Sequence, residues 1–405
     1  MIIRKIERVT ENRKRTLKAT IVWEQASFNP DTYYFSVDEK YGELLGNPAD
    51  AFLCGAILPA FIHGEERVKI DEEVCPQLVD NLHEAIYWIA AWYPEYRREI
   101  PIQIEASLKS SADRIPGSAL FYSGGVDAAF SLAHNRDSIP IDHPASVSRL
   151  ILIHGFDIGG KRVEKENPAS EEAFLIAKEQ AMIAADEYGA DLITLTTNIR
   201  HLDDRSGIWG HVYVGGAISA CAHALSGCGD LFYISAEGAN VPASGHFPHF
   251  GTHPVLDHCF SSYAVNIKHY LANYDSRLKR VSALKGHKVL LKSLRVCFNP
   301  PKEMPNCQKC EKCVRTRLQL ELLGLINDSN TLKKCVTEQE LSAVAITSDV
   351  GLAMYEEIYQ MMLSINHPLV RSVKTKIENY KVYKKWKAGK TWKRRAAAFI
   401  NSILK

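Results

Sequence analysis

The sequence predicts an α/β protein with a doubly wound, mostly parallel sheet, an added N-terminal α+β domain and a helical C-terminal tail. Two observations lead to this prediction. Short apolar strand patterns alternate with helical patterns from residue 118 to about residue 238. A glycine turn, Ser123-Gly124-Gly125, joins the first of these strands to its helix. Strands that alternate with helices favour a parallel sheet with helices on both faces.

The composition is that of a globular protein with a sizeable core. The 405 residues allow two or three domains, and 46% of them are hydrophobic and 24% charged. No apolar run is long enough to suggest a membrane span. The N-terminus, "MIIRKIERVTENRKR", has no apolar core of the signal-peptide kind. We therefore expect a cytoplasmic protein without a membrane partner, in which ten cysteines favour metal binding or buried thiols over disulfides.

Residues 1–112 are predicted to form the small α+β domain. Residues 16–41 are rich in β-branched and aromatic side chains and predict strands. Residues 76–92 have apolar positions at helical spacing, and residues 99–107 alternate as a strand does. The polar segment 110–118 predicts a linker.

Residues 115–328 carry the repeated strand–helix pattern. We expect strands at 118–122, 149–156, 191–198 and 230–238, and a fifth at 287–296. The helices between them are expected at 127–134, 170–189 and 210–227. In sheets of this type, ligands bind beyond the carboxyl ends of the strands.

Residues 329–405 predict a helical extension. Residues 351–365 are amphipathic, and the basic segment 381–405 interleaves Trp386, Trp392 and Phe399 with lysines and arginines. Basic residues with aromatics can bind nucleic acid, but this interpretation is not favoured. An acidic protein partner and a simple solvated helix face are the alternatives placed above it.

The glycine turn predicts an anion site. Glycine allows positive φ and close approach of a ligand to the backbone. Helix N-termini and exposed backbone N–H groups favour phosphates. Ser123 would add a hydroxyl donor, and Asp127 would suit a Mg²⁺ ion that bridges phosphates. A tight strand-to-helix turn without a ligand is the alternative.

Four cysteines predict a metal site. Cys307, Cys310 and Cys313 are spaced Cys-x2-Cys-x2-Cys, and Cys297 precedes them. Four thiolates complete a tetrahedral Zn²⁺ shell. An iron–sulfur cluster is the main rival, but the Cys-Pro that ends bacterial ferredoxin runs is absent.

The stretch "SGGVDAAFS" resembles the pyrophosphate loop, Ser-Gly-Gly-x-Asp-Ser, of the ATP pyrophosphatase superfamily, which has an adenine nucleotide alpha-hydrolase-like (HUP) fold. The resemblance implies that ATP is bound by the loop and by the end of the second strand. These residues are Tyr122, Ser123, Gly124, Gly125, Val126, Asp127 and His154, with Ser123 and Asp127 in catalytic roles. The family's last serine is Ala128 here, which removes one hydroxyl donor.

The loop followed by the four cysteines resembles QueC, the 7-cyano-7-deazaguanine synthase family, over residues 115–325. The extra N-terminal and C-terminal regions resemble the extended QueC-like proteins of anti-phage systems, type IV CBASS or Qat. The resemblance implies the cofactors ATP, Mg²⁺ and Zn²⁺. It also implies adenylation of the carboxylate of 7-carboxy-7-deazaguanine or a related small molecule, followed by attack of an amine.

That amine would be ammonia in the free synthase, or the N-terminus of a partner protein such as a nucleotidyltransferase. We expect residues 1–112 to dock such a partner. Two other readings remain: an RNA-thiolating enzyme of the same superfamily, and a nucleotide-binding module that lost catalysis with Ala128. A glutamine amidotransferase is disfavoured, because residue 2 is Ile and supplies no cysteine nucleophile.

Substrate contacts are expected in the Gly- and His-rich segment 235–258 that follows the fourth strand. Carboxylates and amides can read a guanine-like edge, and histidines can act as bases or phosphate donors. The candidates are Glu237, Asn240, His246, His253 and Asp257. An ordinary loop role is the alternative for each histidine. Residues 198–211 are a second candidate wall, where Asp203 and Asp204 could instead belong to a solvated turn.

Overall fold

The structure is a computed structural model of the whole chain. It describes residues 1–111, 113–160, 168–236, 250–297 and 300–403. The side chains of residues 168–169 and of residues 388–403 are outside this description.

Ten strands form one continuous sheet in the described residues. The strand order is β10-β9-β6-β7-β8-β3-β2-β1-β4-β5. The strands are β1 Ile2–Glu11, β2 Lys14–Val22, β3 Asp31–Asp38, β4 Arg67–Val74, β5 Gln103–Leu108, β6 Ser118–Phe121, β7 Arg149–His154, β8 Asp191–Thr197, β9 Leu231–Ser235 and β10 Asn266–Tyr270. The five strands from β10 to β8 are parallel to one another. The pairs β8–β3, β3–β2 and β2–β1 are antiparallel, and β1–β4 and β4–β5 are parallel.

Helices cover both faces of the sheet. Among the described residues, the α-helices of five or more residues are α1 Pro48–Ile62, α2 Pro76–Trp92, α3 Val126–Ser138, α4 Pro168–Tyr188, α5 Val214–Ala224, α6 Arg277–Ala283, α7 Lys288–Lys292, α8 Glu311–Leu322, α9 Glu338–Ala343, α10 Asp349–Ser364 and α11 Val370–Ile403. Helices α1, α2 and α5 share one core cluster with one face of the sheet. Helices α3, α4, α6, α7 and α8 share a second cluster with the other face. The predicted α/β class with a mostly parallel sheet is therefore confirmed.

Most predicted elements of the parallel half are present, but the prediction of a fifth strand at 287–296 was wrong. Residues 288–292 form α7, and the fifth parallel strand is β10, Asn266–Tyr270. A short apolar run such as "VLL" in α7 does not distinguish a buried helical turn from a strand. β10 lies at the sheet edge, and only part of its surface is buried.

The N-terminal strands continue the parallel sheet. Phe35 and Ser36 of β3 pair with Thr197 and Thr196 of β8. Helix α1 packs on α5 so closely that a Cβ at Gly55 would lie 3.2 Å from that of Ala220. The predicted boundary near residue 112 lies between β5 and β6, yet the strands on either side of it share one core cluster.

The sequence pattern did not predict α1, because this helix has no polar face opposite an apolar one. Its residues from Ala49 to Phe61 are all buried, and Pro59 lies inside the helix. A helix that is apolar all round has no amphipathic period to detect.

The C-terminal region is helical, as the tail pattern suggested. Helices α9, α10 and α11 pack against α8, where Val314 and Leu318 contact a third core cluster with Tyr355, Ile358 and Val373. None of the described helices combines the length and the apolar character needed to cross a membrane.

Candidate functional site

The turn between β6 and α3 has a backbone that only glycine adopts easily. Gly124 has a φ of +76°. A Cβ added there would lie 3.3 Å from the Cβ of Arg295, which is tighter than ordinary van der Waals contact. The Arg295 N–H donates to the Gly124 carbonyl at 2.8 Å. The conformation and the close approach both require glycine at this position.

The first turn of α3 presents backbone donors beside this turn. Helix α3 begins at Val126, and the first N–H groups of a helix have no partner within it. The Gly125 N–H lies 3.4 Å from Ser123 Oγ, a long hydrogen bond. Ala128, where the related loop has a serine, is buried at 4% exposure in the core. The turn thus has the elements of an anion site, without the hydroxyl at position 128.

Asp127 binds two arginines. Arg277 Nη1 donates to Asp127 Oδ2, and Arg280 Nη1 donates to Asp127 Oδ1 at 3.1 Å. A Mg²⁺ ion at Asp127 would have to displace these guanidinium groups. The predicted magnesium role of Asp127 therefore stays a prediction, and the structure shows arginines at both carboxylate oxygens.

Arg280 ties together the loops that follow three strands. Its side chain is fully buried. Besides Asp127 after β6, it donates to the carbonyls of Ala236 after β9 and of Leu271 and Tyr274 after β10. Sequence reasoning missed this residue. The available signal was "SRLKR", in which Ser276 caps α6 and the two arginines lie on one helix face.

Arg295 carries a buried charge with unpaired N–H groups next to the turn. It is 7% exposed, and Nη1 lies 3.4 Å from the Ser123 carbonyl. Nε and Nη2 are buried and have no hydrogen-bond partner among the described residues. Burial lowers the pKa of this guanidinium, against the opposing effect of Asp157. Buried guanidinium N–H groups without acceptors are costly, so this position favours a bound anion.

Two further predicted ATP residues lie at the ends of β6 and β7. Tyr122 is 2% exposed, and burial raises the pKa of its hydroxyl. The His154 ring stacks on Phe174 of α4 with centroids 4.3 Å apart, and Nδ1 lies 3.8 Å from Glu171 Oε2. Burial lowers the pKa of His154, which favours the neutral imidazole. His154 is therefore held against α4 by stacking.

Two of the predicted substrate residues lie in one buried cluster. The Asp257 side chain is fully buried; Oδ1 accepts the His253 backbone N–H at 2.9 Å, and Oδ2 lies 2.7 Å from His269 Nδ1. The His253 ring packs on Trp92 of α2. His269, on β10, was missed, since no motif marks it. Glu237, Asn240 and His246 lie outside the described residues.

The four predicted metal ligands come together. The sulfurs of Cys297, Cys307, Cys310 and Cys313 lie within 4.8 Å of one another. The separations Cys307–Cys313 and Cys297–Cys310 are both 3.9 Å. A tetrahedral Zn²⁺ with Zn–S bonds of about 2.3 Å requires sulfurs about 3.8 Å apart. Hydrogen bonds from the Cys310 and Cys313 thiols lower the pKa of Cys297. The cluster is a candidate metal site of zinc dimensions.

The local fold supports these thiolates. Cys310 is the N-cap of α8 and Cys313 lies in its first turn, where the helix dipole favours negative charge. Buried Asn306 accepts N–H bonds from Val296 and Cys297 at 2.8 and 3.2 Å, and it donates to the Leu294 carbonyl. This amide, which sequence reasoning missed, joins the cysteine knuckle, residues 306–313, to the segment that carries Arg295.

Asp203, after β8, lies in a buried ion pair and not in a solvated turn. Its side chain is 1% exposed and contacts His63 at 3.0 Å and Arg205 Nε at 2.8 Å. Burial alone would raise the pKa of Asp203, but the hydrogen bonds from Arg205 and His63 outweigh it and lower the value from 3.8 to about 2.

We expect Asp203→Asn to cost about 2 kcal/mol of unfolding free energy at neutral pH. A carboxylate with a lowered folded pKa stabilises above the unfolded value of 3.8 and loses this contribution as the pH falls towards 2. Urea unfolding should show a constant difference from wild type between pH 7 and about pH 4, and a shrinking one below. The exposed Asp186→Asn serves as the control. A difference that already decays between pH 7 and pH 5 would contradict the assignment.

An open cleft of about 860 Å³ lies at the other end of the sheet, beside β5. Glu24, Arg67, Arg98 and Glu105 are among its lining residues. β5 is seven strands from β6, about 34 Å at 4.8 Å per strand. The cleft is thus remote from the glycine turn.

Comparisons of the chain with protein-family models, with curated proteins and with solved structures found no match in any of the three.

Proposed function

We propose that the protein is an ATP-dependent ligase of the pyrophosphate-loop type, with a HUP-like parallel half. In this proposal it adenylates the carboxylate of a 7-deazaguanine substrate and transfers the acyl group to an amine. One observation carries the proposal. The buried guanidinium of Arg295, with two nitrogens unpartnered among the described residues, lies beside a glycine turn that opens a helix. A phosphate chain would supply the missing negative charge.

The first step would form an acyl-adenylate. A carboxylate oxygen attacks the α-phosphorus of ATP, and the bond to the β-phosphate oxygen breaks to release pyrophosphate. The N–H groups of Gly125 and Val126, together with Arg295, would hold the pyrophosphate and stabilise the charge that develops on it. Asp127 would act indirectly, because it positions Arg277 and Arg280 at the strand ends.

In the second step an amine attacks the acyl carbon, AMP leaves, and the amine nitrogen loses a proton. That proton passes to solvent. Asp257 binds His269 Nδ1, and His269 Nε2 is buried, so this pair ties the Asp257 turn to β10 and is not assigned to the proton.

The zinc site has a supporting role in this proposal. Cys297, Cys307, Cys310 and Cys313 would hold the ion, which neutralises their thiolates and closes the knuckle. Arg295 lies two residues before Cys297, so the knuckle fixes the position of the proposed phosphate ligand.

The acceptor is proposed to be either ammonia, with a second ATP-dependent round that gives the nitrile, or the N-terminus of a partner protein. Deleting residues 1–112 would not test docking of a partner, because it would remove strands and helices from a shared core. Mass spectrometry of co-expressed partner proteins tests it directly. A mass increase equal to the deazaguanine acyl group marks conjugation.

Pyrophosphate release from ATP with 7-carboxy-7-deazaguanine tests the ligase. We expect release by wild type, and at least about tenfold less from Arg295→Met, since a hydrogen bond to a charged group contributes about 1.5–3 kcal/mol. Lys292→Met, an exposed neighbour on α7, is the control and should retain activity.

The outcomes separate the competing functions. ATP binding that Arg295→Met weakens, without any pyrophosphate release, would identify a nucleotide-binding module. Release that requires RNA instead of the deazaguanine would identify the thiolating class. Absence of ATP binding to wild type would overturn the proposal.

A further inference from the structure

Three potential metal ligands of different types converge away from the cysteine cluster. Glu84 lies on α2, and His258 and Cys259 lie in the 3-10 turn Asp257–Phe260 that packs against α2. One ligand atom from each residue lies within 4.8 Å of the other two. His258 Nε2 is 3.6 Å from Cys259 Sγ and 3.9 Å from Glu84 Oε1.

We propose that Glu84, His258 and Cys259 bind a second zinc ion. Thiolate, imidazole and carboxylate are the three ligand types that Zn²⁺ takes in proteins. In a tetrahedral site with Zn–S of about 2.3 Å and Zn–N of about 2.0 Å, sulfur and nitrogen are about 3.5 Å apart. The Cys259 sulfur and His258 Nε2 are 3.6 Å apart, close to this separation.

The carboxylate needs only a small movement. Tetrahedral geometry requires about 3.4 Å between the nitrogen and oxygen ligands, about 0.5 Å less than the distance between His258 and Glu84. The Glu84 side chain is 49% exposed and can move by this amount. Trp88 Nε1 donates to Glu84 Oε1 at 3.2 Å. Such a donor orients a ligating carboxylate.

The geometry favours a metal over a nucleophilic triad. One nitrogen, His258 Nε2, faces both the sulfur and the carboxylate. In a triad the acid would hold the opposite ring nitrogen. Binding displaces the thiol proton of Cys259 to solvent, and the Val255 carbonyl then loses the S–H donor that now lies 3.5 Å from it.

Three protein ligands leave a fourth position for water. Open zinc sites of this kind hold a solvent molecule. The site would also fasten α2 to the turn that carries Asp257, since Asp257 precedes two of its ligands. This second zinc is independent of the proposed ligase activity.

The test is zinc stoichiometry of the purified full chain, equilibrated with free zinc and without chelator. We expect two zinc ions per chain in wild type and one in His258→Gln. The His258 side chain is 55% exposed, so this variant should fold. His83→Gln removes an exposed imidazole from the neighbouring position on α2 and should retain two ions.

A second variant addresses the carboxylate. Glu84→Gln should lower the affinity for the second zinc by about tenfold or more, as loss of a charged ligand does, in competition with a zinc indicator. One zinc per chain in wild type, or two in His258→Gln, would overturn the proposal. Equal zinc affinity in Glu84→Gln and wild type would remove Glu84 from the ligand set.

Discussion

Replacing Cys310 by Ser is expected to abolish zinc binding at the four-cysteine cluster and to lower the melting temperature by at least about 10 °C. Structural zinc binding contributes about 10–16 kcal/mol in small zinc domains, and 1 kcal/mol shifts the melting temperature of a mid-sized domain by about 2–4 °C. A drop of about 10 °C in melting temperature therefore requires the loss of only part of the zinc-binding free energy. Zinc analysis and thermal unfolding measure the two results.

The matched control is Cys335→Ser. Cys335 is exposed and lies outside both candidate metal clusters. This variant should keep the wild-type zinc content and melt within about 2 °C of wild type. If Cys310→Ser has the melting temperature and the zinc content of wild type, the cluster is not a structural metal site.

Loss of zinc should also change the position of Arg295 beside the glycine turn. Cys297 and Val296 are held to the knuckle by Asn306, and Arg295 donates to the Gly124 carbonyl. A loosened knuckle would misplace the Arg295 guanidinium. If the proposed ATP site is correct, Cys310→Ser should therefore weaken ATP binding even at a temperature where it remains folded.

The second large effect is expected for Arg280→Met, which should lower the unfolding free energy by about 3–5 kcal/mol. The substitution keeps much of the volume but leaves buried carbonyls of Leu271, Tyr274 and Ala236 without their donor. Removing one partner of a buried charged network has this cost. Urea unfolding of both proteins at pH 7 measures it.

Lys279→Met provides the comparison on the same helix. Lys279 is exposed on α6, and its replacement should change stability by less than about 0.5 kcal/mol. A loss below 1 kcal/mol in Arg280→Met would show that the three loops hold together without this guanidinium.

The four-cysteine site could be predicted because its geometry is mostly local. Three of its ligands lie within seven residues, at the start of a helix whose dipole favours thiolates. The glycine turn is local in the same sense. A positive φ at Gly124 and a helix that begins at Val126 follow from residues adjacent in the chain.

Arg280, Arg295 and His269 could not be singled out in this way. Arg280 and Arg295 gain their roles from partners distant in the chain, Asp127 and Ser123. His269 gains its position from the pairing of β10 with β9 and from a contact with Asp257 that no sequence pattern marks. Their own sequence neighbours carry no pattern for these contacts. The choice of Asn266–Tyr270 over residues 287–296 as the fifth strand also depended on pairing with β9.

The sequence by itself determined the alternation of strands and helices, the glycine turn and the four thiols, because backbone conformation and short ligand spacings are set by neighbouring residues. Only the tertiary structure decided which charges surround the turn and which strands join the sheet. The physical reason is that strand register and many buried ion pairs, such as Asp127 with Arg280, join groups that are far apart in the chain. The free-energy cost of burying such charged groups is offset only by contacts that form in the folded chain.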